Sequence, residues 1–157
     1  VDVSREHYRG LEVAATPLQM AMVAAAVGNA GVTMRPGLVD QTAAPDLAPL
    51  ETFEPTDFAQ AMTPENAAKL TAMMVGVVNE GTGSNAQIPG VAVAGKSGTA
   101  QTSKDRPNIA WFISFAPASN PQVAVAVAIE KSSAPEVGGN LLAAPIARAV
   151  MQAVLSS

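Results

Sequence analysis

The amino-acid sequence predicts an α+β fold, with helices flanking an antiparallel sheet. Residues 16–31 and 63–81 each begin with the residue types that start a helix. The apolar residues of 90–99, 109–116 and 122–130 alternate along the chain, which is typical of strands. The segments between these strands are short, whereas a parallel pair needs a long crossover, so neighbouring strands are expected to run antiparallel.

The composition is that of a compact, sparsely charged globular chain. Of its 157 residues, 48% are hydrophobic and 14% charged, which excludes an intrinsically disordered chain. The net charge is −4, and the lysines and arginines are scattered, whereas nucleic-acid binding needs a basic patch. There is no cysteine, and His7 is the single histidine. We therefore expect no metal, no cofactor and no nucleic-acid partner.

The sequence contains neither the pattern of a membrane span nor that of a signal peptide. The apolar run 20–27 is too short, because a span needs roughly 18 or more apolar residues. No basic segment precedes an apolar one near Val1. If the protein acts outside the cytoplasm, its targeting segment is expected to lie outside this chain.

The first helix is predicted to begin after Thr16, which is its N-cap, with Pro17 in the first turn. Gln19 completes a capping box with Thr16, and Gly31 is a natural stop. Apolar residues occupy all sides of the helix over 20–27, so we expect it to be buried within a larger structure.

The region from residue 40 to residue 81 divides into a connector and a second helix. Residues 40–55 contain three prolines and no clean period, which predicts a connector of poorly regular structure. Thr63 and Pro64 start the second helix, and Gly81 ends it. Its apolar face consists of Ala67, Leu70, Met74, Val77 and Val78, and Met73 and Met74 are both expected to fill the core.

The connections that follow support the antiparallel arrangement. A polar segment, 102–107, joins the first two strands, and a short turn at 118–121 joins the second to the third. A glycine-containing loop then leads to a terminal helix over 141–155, in which Pro145 fits only near the first turn.

Lys96 lies where two sequence patterns overlap. Residues 90–97, "GVAVAGKS", satisfy the phosphate-loop pattern, in which glycine-rich backbone wraps phosphates and then enters a helix. Here the variable residues alternate as in a strand, and no helix is expected after Gly98. Glu130, at the end of "VAVAVAIE", favours nucleotide binding because an acid after an apolar strand can hold magnesium; a surface acid after a buried strand is the commoner alternative.

The other interpretation places Lys96 in an acyl-transfer site. Ser97 and Thr99 are two residues apart, so their hydroxyls point to the same face of a strand. Two hydroxyls beside an ammonium group can receive a substrate carboxylate, and Gly98 permits close approach of another backbone. The alternative is that Ser97 and Thr99 are ordinary strand residues.

Six segments, in this order, resemble the C-terminal part of a class B penicillin-binding protein, especially an actinobacterial one. They are "ATPLQMA", "GTG", "VAGKSGTAQ", "AWFISFAP", "NPQVAVAVAIE" and "GGNLLAAPIARAV", and the resemblance covers about residues 11–155. It implies a β-lactamase/transpeptidase-like fold, in which helices pack on a mainly antiparallel sheet with the active site along one strand edge. It also implies that residues 1–157 are the C-terminal portion of a transpeptidase domain.

Only one of the family's three motifs occurs in the chain. No serine is followed three residues later by lysine or two residues later by asparagine, so S-x-x-K and S-x-N are both absent. The resemblance therefore implies that the nucleophile lies in the upstream part of the same domain. The implied activity is that of a peptidoglycan D,D-transpeptidase, which cross-links D-alanyl-D-alanine stem peptides and is acylated by β-lactam antibiotics. A catalytically inactive scaffold domain and a nucleotide-binding module are the alternatives.

The resemblance also implies roles for individual residues. Lys96 and the backbone N–H of Thr99 would be catalytic, Lys96 by contacting the S-x-N serine and Thr99 as an oxyanion-hole donor. The strand 95–101 would pair with the substrate, while Ser97 and Thr99 bind its carboxylate beside Gly98. Gln101 would border the site, or else be a surface polar residue.

The surroundings of the site are less specific in the sequence. The loop "EGTGSNAQ", residues 80–87, is expected to be structural, with contact to the site as the alternative, and Trp111 is expected in the core or in a subsite wall. The family resemblance implies a location outside the cytoplasm, with anchoring to the cytoplasmic membrane by a segment outside this chain. Other cell-wall synthesis proteins are the further implied partners.

Overall fold

The structure is a computed structural model that describes residues 15–100, 108–130, 132 and 137–157. Its centre is a three-stranded antiparallel sheet with helices on both faces. The helices are α1 (Pro17–Gly28), α2 (Pro64–Asn79) and α3 (Ala144–Leu155), together with a 3₁₀ turn (Ser84–Ala86) and a π-helical turn (Gly139–Ala143). The strands are β1 (Val32–Met34), β2 (Gln41–Ala43), β3 (Pro49–Thr52), β4 (Asp57–Gln60), β5 (Ala94–Ala100), β6 (Ile109–Ala116) and β7 (Val123–Ile129).

The central sheet has the order β5-β6-β7, and both strand pairs are antiparallel as predicted. β5 begins at Ala94 and not at residue 90, because the chain turns first: Gly90 has a φ of +77°, and Ile88 bridges to Val91. Within the described residues β5 pairs only with β6, so it is an edge strand.

The pairing register divides the side chains of the sheet between two faces. Side chains alternate along a strand, and residues directly opposite each other share a face. Gly95, Ser97 and Thr99 of β5 lie on the face that packs against α3, here called the α3 face. Lys96 and Gly98 lie on the opposite face, here called the α1 face because α1 packs on part of it.

Each face has its own hydrophobic core. The core on the α3 face contains Val78, Ala86, Val93, Phe112, Ala116, Val125, Ala143, Ala144, Ala147 and Met151. The core on the α1 face contains Ala24, Val27, Met74, Ala94 and Phe115. α2 contributes Val78 to the first and Met74 to the second, so both cores depend on this helix.

The helix starts agree with the sequence. Thr16 and Gln19 form both hydrogen bonds of the capping box at α1, and the Thr63 side chain accepts the backbone N–H of Asn66 at α2. Beyond α1, Gly31 has a φ of +87°, and a side chain there would collide with the carbonyl of Met62.

The expectation that α1 is buried holds for only part of its surface. Ala24, Ala26 and Val27 are buried, while Leu18 and Val23 are 58% and 48% exposed. One side of this apolar helix is therefore left without a covering element among the described residues.

Two expectations about the middle of the chain are wrong. Residues 40–55 contain a hairpin in which β2 pairs with β3, and β1 pairs with β4 just outside it. These strands have three or four residues and mostly exposed side chains, so they lack the alternation that marks a half-buried strand. Met74 lies in the core as predicted, but Met73 is 59% exposed, because the two neighbours point to different sides of α2.

The terminal helix begins with a π-helical turn that the sequence did not indicate, and Pro145 lies in the first turn of α3 as predicted. No helix among the described residues is long and apolar enough to cross a membrane. His7, the connector 102–107 and part of the loop before residue 137 lie outside the described residues.

We predict that Gly139→Ala destabilises the protein by about 1–3 kcal/mol or more. A Cβ atom at Gly139 would lie 2.1 Å from the carbonyl oxygen of Trp111 and 2.8 Å from the backbone N and O of Gly98. These are backbone atoms of paired strands and cannot rotate away. Urea unfolding should show the loss, whereas Gly138→Ala, whose Cβ meets nothing within 4 Å, serves as the control. Equal midpoints for the two variants would contradict the close approach.

We predict that Ser114→Ala raises the free energy of unfolding by about 1 kcal/mol. Ser114 is 0% exposed, and its hydroxyl has no hydrogen-bond partner among the described residues. Burial of an unpaired hydroxyl costs stability, and alanine keeps nearly the same volume. Denaturant titration compares this variant with Ser119→Ala, which alters an exposed serine in the turn after β6 and should change little. A loss of stability in Ser114→Ala would refute the prediction.

Candidate active site

The residues Lys96, Ser97, Gly98 and Thr99 lie on the edge strand β5, as the sequence predicted. Lys96 and Thr99 are exposed, and Ser97 and Gly98 are half-buried. Because β6 pairs with only one side of β5, the other side is open among the described residues, and an edge strand can pair with a further extended chain.

Lys96 extends from the α1 face of the edge. Its ammonium group donates a hydrogen bond of 2.6 Å to the carbonyl oxygen of Ser97. Among the described residues, the side chains that form an ion pair are Lys69 and Glu65 on α2. Lys96 therefore has no carboxylate partner among the described residues. The site therefore carries a positive charge that is not neutralised by a described residue.

Ser97 and Thr99 lie on the other face, and their hydroxyls have different surroundings. The Ser97 hydroxyl is 2.9 Å from the hydroxyl of Thr82. The Thr99 hydroxyl has no hydrogen-bond partner among the described residues and is exposed. The ammonium group of Lys96 thus lies on one face of the strand and the two hydroxyls lie on the other. The three groups do not form a cluster on a single face.

The loop 80–87 is structural, as expected, but it also reaches the site through Thr82. The side-chain amide of Gln87 donates to the carbonyls of Val78 and Asn79 at 2.9 Å and 3.1 Å, and so caps the end of α2. The backbone N–H of Gly83 donates to Val77 at 2.9 Å. In the sequence, Thr82 is marked only by the segment "GTG", which is one of the six that resemble the family. A threonine in a polar loop has no other pattern that would single it out.

The same loop is tied to the start of the terminal helix. The backbone N–H of Asn85 donates to the side-chain oxygen of Asn140, and the Asn85 amide donates to the Asn140 carbonyl, both at 3.0 Å. The Asn140 amide also reaches the hydroxyl of Ser84 at 3.4 Å. Sequence reasoning missed this pair because 55 residues separate its members.

The backbone of Gly98 lies close to that of Gly139 in the same chain, and the glycine that permits this contact is Gly139. The π-helical turn brings Gly139 against the backbone of Gly98 and Trp111. A Cβ atom at Gly98 itself would meet only the Cβ of Trp111, at 3.4 Å. No described residue therefore requires a glycine at position 98, and none fills the space beside it on the α1 face.

The α1 face is only partly covered. α1 and α2 pack over its Ala94 and Phe115 end, whereas Trp111, Ile113 and Ala128 farther along are half-buried and Lys96 is exposed. Trp111 thus belongs to the wall beside Gly98 and not to the buried core.

Two further candidate residues of the sequence are Gln101 and Glu130. Gln101 lies outside the described residues, and Glu130 is exposed at the end of β7. The described residues contain no group of three or more histidine, aspartate or glutamate side chains that could hold a metal ion. Cavities of about 490 Å³ beside Arg148 and about 460 Å³ between α1 and α2 include none of the residues 96–99.

The described part of the site can bind a ligand, and it holds no activated nucleophile. Among the described residues, the Ser97 hydroxyl hydrogen-bonds the hydroxyl of Thr82 and no histidine, lysine or carboxylate that could take its proton. The features of the site instead suit an extended ligand that carries a carboxylate. They are an exposed ammonium group, hydroxyls on the opposite face and a strand edge that is open among the described residues.

Residues 8–152 match the family described as penicillin binding protein transpeptidase domain. The chain belongs to this family. Peptidoglycan D,D-transpeptidase PbpA of Mycobacterium tuberculosis is 46% identical over 148 residues, which cover 92% of this chain and 30% of that protein. Stage V sporulation protein D of Bacillus subtilis is 32% identical over 149 residues, which cover 91% of this chain and 23% of that protein.

Solved structures of penicillin-binding transpeptidases have the same fold. The crystal structure of PBPA from M. tuberculosis matches with a TM-score of 0.84 and 45% identity, over 92% of this chain and 35% of that one. Its imipenem acyl-enzyme complex matches with a TM-score of 0.82 and 45% identity, over 92% of this chain and 32% of that one.

These matches confirm the resemblance to class B penicillin-binding proteins, including actinobacterial ones, and the transpeptidase-like α+β fold. They do not favour the phosphate-loop alternative, and β5 continues as a strand through Ala100 where a phosphate loop would enter a helix. The chain spans about 30% of the length of the PbpA relative.

Proposed function

We propose that this chain is the C-terminal portion of a peptidoglycan D,D-transpeptidase, a serine-type acyl-transfer enzyme that cross-links D-alanyl-D-alanine stem peptides and is acylated by β-lactams. The observation that carries the proposal is the edge strand β5, which presents Lys96, Ser97 and Thr99 beside an open backbone edge. The family match and the acyl-enzyme complexes of PBPA with imipenem and penicillin G support it.

The substrate peptide adds to the open edge of β5 as a further strand. The hydroxyls of Ser97 and Thr99 donate charge-assisted hydrogen bonds to its terminal carboxylate, or to the carboxylate of a β-lactam that mimics the peptide. Gly98 leaves the space beside it open, and Gln101 borders the site. The backbone N–H of Thr99 stabilises the oxyanion that forms when the nucleophile attacks.

Residues 1–157 form the C-terminal portion of a longer transpeptidase domain, and the upstream portion supplies the S-x-x-K and S-x-N motifs. The sequence lacks both motifs. The partly open α1 face, together with exposed Leu18 and Val23 on α1, offers apolar surface for that portion to cover. Lys96 extends from this face, where it would meet the S-x-N serine.

The protein works outside the cytoplasm, anchored to the cytoplasmic membrane by a segment beyond this chain, since peptidoglycan is assembled there. Stem peptides and β-lactams are its ligands, and other cell-wall synthesis proteins are candidate partners. The competing function is a scaffold domain without catalysis. A fluorescent β-lactam that fails to label the full-length protein would favour the scaffold.

We predict that Thr99→Val in the full-length protein lowers the rate constant of β-lactam acylation about 10- to 150-fold. A charge-assisted hydrogen bond contributes roughly 1.5–3 kcal/mol, and valine keeps the shape and the strand propensity of threonine. The backbone N–H survives, so some activity should remain. Stopped-flow acylation and thermal melting are measured on the same variant. Unchanged acylation would remove the Thr99 side chain from the site, and a large drop in melting temperature would mark it as structural.

We predict that residues 1–157 alone form no covalent adduct with penicillin, because ring opening needs an activated hydroxyl. Mass spectrometry after incubation with excess penicillin should show the unmodified mass, while the full-length protein gains one penicillin. A stable adduct on Ser97 would show that the assigned role is wrong.

A further inference from the structure

We propose that Thr82 is a positioning residue, which orients the Ser97 hydroxyl toward the carboxylate of the ligand. The proposal rests on the function proposed above and adds a residue outside the Lys96–Thr99 motif. Its basis is the 2.9 Å contact between the two hydroxyls, which joins a loop to the edge strand across 15 residues of sequence.

The proton arrangement follows from the chemistry of the ligand. A carboxylate only accepts hydrogen bonds, so Ser97 must donate its proton to it. In the observed pair either hydroxyl can be the donor. When Thr82 donates to Ser97, the Ser97 proton is left free to point at the carboxylate. The resulting chain, from Thr82 to Ser97 to carboxylate, is polarised in one direction, which strengthens each bond.

Thr82 is held in place by the backbone on both sides. Gly81 and Gly83 pack against the end of α2, where a Cβ atom at either position would lie 3.0–3.1 Å from atoms of Val77. Thr82 is therefore the only side chain in this three-residue segment, and it meets β5.

The remainder of the loop is fixed by groups that do not touch the site. Gln87 caps α2, and Asn85 donates two hydrogen bonds to Asn140. A rigid loop loses little entropy when its one side chain makes a hydrogen bond, so it suits a positioning contact.

The matched variants are Thr82→Val, which removes the hydroxyl but keeps the shape, and Thr82→Ser, which keeps the hydroxyl. Acylation of the full-length protein is measured with benzylpenicillin and with its methyl ester, in which the carboxylate is masked. With benzylpenicillin, Thr82→Val should lower the acylation rate about 3- to 10-fold, and Thr82→Ser should restore most of it. With the methyl ester, Thr82→Val should equal the unaltered protein.

A double-mutant cycle tests whether Thr82 acts through Ser97. In a Ser97→Ala background, Thr82→Val should cause no further loss with benzylpenicillin, because the group it orients is gone. Thr71→Val is the control for removal of a threonine hydroxyl, since the Thr71 hydroxyl donates a hydrogen bond to the carbonyl of Ala67 within α2. Melting temperatures of all variants report on folding.

Three outcomes would overturn the proposal. They are equal losses with benzylpenicillin and the methyl ester, additive losses in the double variant, and failure of Thr82→Ser to recover activity. A protein whose unaltered form is not acylated at all would instead refute the transpeptidase function itself, and the positioning role with it.

Discussion

The hydrogen-bonded pairing of β5 with β6 fixes the positions of Lys96, Ser97 and Thr99 in the proposed site. It sets the register that sends the Lys96 side chain to one face and those of Ser97 and Thr99 to the other. It also uses one side of the β5 backbone and leaves the other open among the described residues. The hydrophobic cores on the two faces, each with a contribution from α2, hold this edge strand in place although only one described strand pairs with it.

The loop between α2 and β5, residues 80–87, connects α2, the terminal segment and the edge strand. It closes the end of α2 through Gln87, reaches the terminal helix through Asn140 and contacts β5 through Thr82. The site thus rests on elements that are distant in sequence but joined by a few specific hydrogen bonds. The backbone contact between Gly139 and Gly98 adds a steric link from the same terminal segment to the strand.

The sequence predicts the elements whose signal is local. Thr16 and Thr63 mark helix starts because capping is a contact over three residues, and the strand alternation places Lys96–Thr99 on β5. It does not predict the β2–β3 hairpin, whose exposed strands have no apolar face to produce alternation. The exposure of Met73 follows from its position on the other side of α2 from Met74, which residue type alone does not encode. The pairing of Asn85 with Asn140 depends on packing between segments that are distant in sequence.

The open edge of β5 has a cost as well as a use. A strand that can accept a peptide can also pair with the same strand of another copy, and such pairing leads to aggregation. The charge on Lys96 opposes this, because two copies that pair edge to edge would bring like charges together. A substrate that carries a carboxylate is attracted by the same ammonium group. One side chain therefore discriminates between the intended extended chain and the protein's own edge.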